Sequence, residues 1–140
     1  MALTKNQIIF NTISPWDHPC QGQDKKVLFV CSAGILRSAT AARLYSHVYN
    51  TRCAGSEDYA LIPVTPDLLL WADQVVFVKE ENYWSIVNRF DLDTFQVDVV
   101  ILNIDDKYDH MEAGLVELFN SQYEEVHPVI YNRIINKVNS

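Results

Sequence analysis

Cysteine is scarce in this chain, positive charge is sparse, and long apolar runs are absent. The three cysteines are an odd number, and no C-x-x-C pair or Cys/His ligand cluster accompanies them. Neither a disulfide framework nor a zinc site is therefore indicated. A reducing cytoplasm suits such a chain best, and no cofactor or metal is expected. No apolar run approaches the roughly 18 residues that a membrane-spanning helix needs, and the first residues carry no long apolar h-region. Lys and Arg number 11 against 18 Asp and Glu, a net charge of −7. The long-range field thus opposes nucleic acid and anionic membranes as partners. The shortage of positive charge is uneven: residues 1–56 carry +4 and residues 57–140 carry −11. No repeat or low-complexity tract interrupts the chain.

A chain of 140 residues is one domain by size and buries about two-thirds of its unfolded surface, enough for one core without staples. That core is organised around residues 27–45. The apolar run Val27-Leu28-Phe29-Val30 reads as a buried strand ending on Cys31, and a short loop leads from it into the Ala-rich segment after Arg37. Ser38 stands where a helix N-cap would stand. A loop that opens a helix aims backbone N–H groups inward at the positive end of the dipole, so residues 32–38 (Ser32, Ala33, Gly34, Ile35, Leu36, Arg37, Ser38) form a candidate oxyanion cradle. Arg37 adds a planar fork for two oxygens. The same field favours the thiolate of Cys31. Nucleophile and cradle therefore share one loop.

The rest of the chain alternates strand and helix. Residues 1–25 read as an N-terminal extension and 26–140 as the domain. Strands are expected at 25–30, 51–54, 74–78 and 97–104. Helices are expected at 38–49, after Thr65 by its capping with Asp67, at 80–90, 111–122 and 126–138. Leu68-Leu69-Leu70-Trp71 supplies the apolar face of the second helix, and Tyr83, Trp84, Ile86, Val87 and Phe90 supply a buried stripe on the third. Apolar strands separated by helices imply a three-layer α/β/α fold around a four-stranded parallel sheet covered on both faces. Ligands in such sheets bind at the carboxyl ends of strands. Cys31 and the pair Asp105-Asp106 both lie there. Cys53 reads as a buried strand residue that traps an oxidised Cys31 only if it comes close.

The loop from Cys31 to Ser38, the Cys-Ala-Gly-Ser segment at 53–56 and Asp106-Lys107-Tyr108 together resemble the low-molecular-weight protein tyrosine phosphatases, in particular their compact bacterial and phage-type relatives. The resemblance covers about residues 26 to 120. It implies a phosphomonoesterase in which Cys31 attacks phosphorus, Arg37 and the loop N–H groups hold the phosphoryl oxygens, Asp106 is the general acid and Ser38 eases departure of the sulfur. Asp105 would help its neighbour keep a proton by like-charge repulsion. Ile35, Tyr108 and Tyr59 would wall the pocket for a flat aryl phosphate such as phosphotyrosine. The expected partners are a phosphotyrosine-containing protein or a small aryl phosphate, with phosphate or sulfate in the loop, and the protein would be a monomer or weak dimer. The chain departs from the family pattern at several positions. Gly34 replaces a loop Asn whose side chain braces the loop, Ala33 stands where relatives often have Gly, Ala39 and Lys107 replace prolines, and Leu36 stands where some relatives carry a second loop cysteine. Two other readings are a phosphotyrosine-binding module with little turnover and a thiol-dependent arsenate reductase. The latter needs resolving cysteines, and none follows Cys53.

Overall fold

A computed structural model describes residues 25–34, 36–60 and 62–124. The expected extension up to residue 24, the pocket wall at Ile35 and the last helix at 126–138 lie outside the described residues. Four strands, β1 (Lys26–Cys31), β2 (Asn50–Gly55), β3 (Gln74–Phe77) and β4 (Asp98–Ile101), form one sheet in the order β2-β1-β3-β4. All three pairings are parallel. Five helices connect and cover them: α1 (Arg37–Leu44), α2 (Pro66–Trp71), α3 (Glu80–Val87), α4 (Leu92–Phe95) and α5 (Ala113–Phe119), the last running into a π-helical turn at Asn120–Glu124.

Alternation along β1 separates two cores. Val27, Phe29 and Cys31 face α1, α5 and Tyr123, whereas Leu28 and Val30 face Leu68 and Leu69 of α2, Ile86 of α3 and Leu92 of α4. The result is the three-layer α/β/α architecture, with each fully buried Leu or Phe contributing about 1.5–3 kcal/mol. The Tyr123 hydroxyl donates to Gln74 Oε1 at 2.8 Å, and burial pushes its phenol well above the ordinary range. Because β2 and β3 flank β1 on opposite sides, their connections cover opposite faces, and the carboxyl end of β1 becomes the crevice at which such sheets bind ligands.

Several local expectations change. Helix α1 begins at Arg37 with Leu36 as its N-cap and no side-chain cap. Ser38 lies inside the helix, its hydroxyl directed to sulfur and not to the helix N-terminus. Thr65 does cap α2, accepting from Leu68 N at 3.3 Å, but Leu70 points outward. On α3 only Asn82 and Ile86 are fully buried, and Trp84 is 52% exposed with its indole N–H on Glu80 Oε1. The fourth strand is only four residues long, and Val99 and Ile101 are exposed on it. Among the described residues, the sheet is therefore not fully covered at this edge. Beyond the strand, Gln122 takes both the N–H and the C=O of Asn103, at 2.7 and 2.9 Å. Short α4 was unexpected; Asp91 caps it through Asp93 N and Thr94 Oγ1.

Candidate active site

The loop after β1 turns back on itself at Gly34, where φ is +75°. That conformation suits glycine, and space enforces the choice as well: a Cβ at position 34 would lie 2.7 Å from Ala54 C and Gly55 N. Gly55 is matched to the loop in the same way, since a Cβ there would strike Ala60 and the Ser32 carbonyl. Two backbone bonds join the faces, from Ser56 N to Cys31 O at 2.7 Å and from Glu57 N to Ser32 O at 3.2 Å. The Cys-Ala-Gly-Ser segment is thus the backing of the loop. Gly34→Ala should destabilise the fold by about 2–4 kcal/mol, combining left-handed strain with overpacking against backbone. A lowered urea midpoint at unchanged slope is the expected signature.

The turn brings Gly34 N to 3.1 Å from Cys31 Sγ, and Ser38 Oγ, on the second residue of α1, stands 3.1 Å from the same sulfur. Cys31 is 2% exposed, yet its sulfur meets polar groups and lines a cavity of about 200 Å³. Ala33, Leu36, Arg37 and Asp106 complete the lining. The uncapped N-terminus of α1 begins at this cavity wall, so the first-turn N–H groups and the dipole bear on it.

Arg37 is 3% exposed and tied on two sides. Its Nη1 donates to Ile104 O at 2.8 Å and its Nη2 to Ser32 Oγ at 3.3 Å, while Nε lies 3.7 Å from Asp106 Oδ1. A guanidinium has five N–H donors. Two are used on the protein, which fixes the plane; one on each terminal nitrogen remains for a ligand, and the Nε–H faces Asp106. Asp105 and Asp106, adjacent in sequence, separate here. Asp105 pairs with Lys79, whose ammonium holds that carboxyl below the usual carboxylate range while the carboxylate raises the lysine. Asp105 thus has Lys79 as its ion-pair partner at the surface. Asp106 faces the cavity.

The segment after Asp106 returns to α1. Met111 N donates to Thr40 Oγ1 at 2.9 Å, and Thr40 in turn donates to Leu36 O at 2.8 Å. His110 is half-buried beside them, and burial, then the charge of Arg43, holds its imidazole below the ordinary range. Tyr108 packs on the core against Gly114 of α5, and Tyr59 is 69% exposed. Among the described residues, neither tyrosine lines the cavity, and its apolar lining is Ala33 and Leu36.

Cys53 is fully buried in β2, in register with Phe29, while Cys31 is in register with Gly55. A two-residue offset across adjacent strands puts the two Cα atoms about 8 Å apart, beyond disulfide reach. Cys53 is thus not placed to trap an oxidised Cys31. Among the described residues no group of three His, Cys, Asp or Glu side chains is arranged to hold a metal ion.

No family model matches the chain, and no curated protein matches it. Two solved structures are similar. A crystal structure of a YwlE mutant from Bacillus subtilis is 16% identical with a TM-score of 0.44, over 84% of this chain and 100% of that one. The solution structure of the low-molecular-weight protein tyrosine phosphatase from Campylobacter jejuni is 16% identical with a TM-score of 0.45, over 79% and 94% of the two chains.

Two contributors to the site had no sequence signal. Ile104 acts through its carbonyl, which no residue type reveals. Asn82 sits one helical turn before Ile86 on the buried side of α3, where the pattern reads simply as core.

Proposed function

We propose that the protein is a phosphomonoesterase of the low-molecular-weight tyrosine phosphatase kind, acting on aryl phosphates through a cysteinyl-phosphate. The observation that carries this reading is a small cavity lined by Cys31, whose sulfur meets Gly34 N–H and the Ser38 hydroxyl, with a buried, pre-oriented Arg37 on its wall. The sulfur attacks phosphorus as the P–O bond to the aryl group breaks, and the leaving oxygen takes a proton from Asp106. Water then attacks the phosphoryl group and gives a proton to the Asp106 carboxylate. The S–P bond breaks, and the Gly34 N–H and the Ser38 hydroxyl stabilise the departing thiolate. Arg37 and the N–H groups at the start of α1 hold the oxygens throughout. The depth of the sulfur and the apolar walls Ala33 and Leu36 favour a long, flat phenolic ester over a short alkyl one.

Turnover of p-nitrophenyl phosphate with release of inorganic phosphate tests the reading. Within it, Asp106→Asn should lower kcat about 100-fold with little change in KM. Asp105→Asn, which removes only the partner of Lys79, should stay within about threefold. The reverse ranking would move the acid to position 105. Wild-type protein that binds phosphotyrosine and leaves it intact would make this a binding module.

A further inference from the structure

The loop has no side chain at its centre with which to brace itself. Position 34 is closed to any residue larger than glycine by the backbone of Ala54 and Gly55, so an asparagine there, as in the resembling family, would not fit. The bracing must come from another element. We propose that Asn82 supplies it from α3, as a positioning residue that sets the oxyanion loop and, through Ser32, the plane of Arg37. The proposal rests on the reading of the cavity as an oxyanion site.

Asn82 is 1% exposed, and its amide nitrogen donates to two hydroxyls, Ser32 Oγ at 3.1 Å and Ser56 Oγ at 3.0 Å. One bond therefore lands on the loop and the other on the residue that follows β2. Ser56 is itself fixed to the base of the loop through its N–H on Cys31 O. Ser32 Oγ also accepts Arg37 Nη2 at 3.3 Å. A chain of bonds thus runs from Asn82 through Ser32 to the guanidinium, and a second runs from Asn82 through Ser56 to the backbone that carries the nucleophile. One side chain on α3 ties together the ends of β1 and β2 and the first residue of α1.

Packing does not account for an amide in this place. Asn82 Oδ1 is buried and has no hydrogen-bond partner among the described residues. An apolar side chain of similar size would fill the space without a stranded oxygen. Either orientation of the amide makes the two bonds, because a serine hydroxyl can donate as well as accept. What an apolar side chain cannot do is make two divergent hydrogen bonds to two hydroxyls. Asn82 is not among the described lining residues and reaches the cavity through Ser32 and Arg37.

The experiment is p-nitrophenyl phosphate kinetics with inorganic phosphate as competitive inhibitor, on Asn82→Ala, Ser32→Ala, Ser56→Ala and the double variant of Asn82 and Ser32. Asn82→Ala should lower kcat/KM by about 10- to 100-fold and raise the phosphate inhibition constant by a similar factor, the scale typical of residues that orient a ligand-binding group. The pH profile should keep its shape, because Asp106 is untouched. A merely structural role would lower the melting temperature without this joint loss. The double variant should be little worse than Ser32→Ala, since both changes break one chain of bonds. Independent, multiplying losses would overturn the proposal, as would an Asn82→Ala protein within about twofold of wild type in both constants. Should Asn82→Ala not fold, Ser32→Ala must weaken phosphate binding more than Ser56→Ala does, and the opposite order overturns the proposal. A wild type that binds phosphate without turning over its ester refutes catalysis but leaves the phosphate dissociation constants to decide on Asn82. A wild type that does neither refutes both.

Discussion

Replacing Cys31 with serine should abolish p-nitrophenyl phosphate turnover, by about 10⁴-fold or more, the scale seen when a covalent nucleophile is removed. A backbone N–H and a hydroxyl both lie 3.1 Å from the sulfur, and among the described residues no general base contacts Cys31 that would activate a serine hydroxyl in its place. The substitution changes one atom and leaves the cradle intact. Inorganic phosphate or tungstate should therefore still bind to Cys31→Ser in a calorimetric titration, separating loss of chemistry from loss of the site. Residual turnover within about tenfold of wild type would end the case for this nucleophile.

Arg37→Lys should lower kcat/KM by about 10³-fold, as expected when a planar, doubly donating cation facing transition-state charge becomes a point charge. The guanidinium holds Ile104 O and Ser32 Oγ with one N–H each and still has one on each terminal nitrogen for the substrate, with Nε–H facing Asp106. An ammonium has three in all, on one atom, and cannot satisfy both protein acceptors while gripping two phosphoryl oxygens. A second readout follows from burial. Ile104 O, accepting 2.8 Å from Nη1 in the native protein, loses that donor, so chemical denaturation should show a loss of about 1–3 kcal/mol. Kinetics within tenfold of wild type would mean that Arg37 is a structural tie between the segments that follow β1 and β4 and not part of the cradle.

The strands were legible because a parallel sheet buried on both faces demands continuous apolar runs, and residues 27–30 and 75–77 are such runs. The fourth strand misled for a physical reason: an edge strand is apolar by composition whether or not anything covers it, and Val99 and Ile101 are exposed. Trp84 shows the same ambiguity on a helix, where a large aromatic fits a buried stripe on paper yet lies half outside with its N–H on Glu80. Ser38 looked like a helix cap because caps and sulfur ligands use the same short hydroxyl; only the course of the loop decided between them.

The stretch from Cys31 to Ser38 by itself determined the core of the candidate site, since eight residues of chain, a glycine free to take positive φ and a helix that follows leave few ways to arrange a sulfur and a hydroxyl. The partners that complete the site lie tens of residues away: Ser32 and Asn82 are separated by 50 positions, and Arg37 and Ile104 by 67. Their meeting depends on the order and register of β1, β3 and β4 at the carboxyl edge of the sheet. So does the choice between two adjacent aspartates, because Asp105 turns to Lys79 and Asp106 to Arg37. A shift of one residue along a strand exchanges its faces, so no local pattern carries that information and only the packed sheet does.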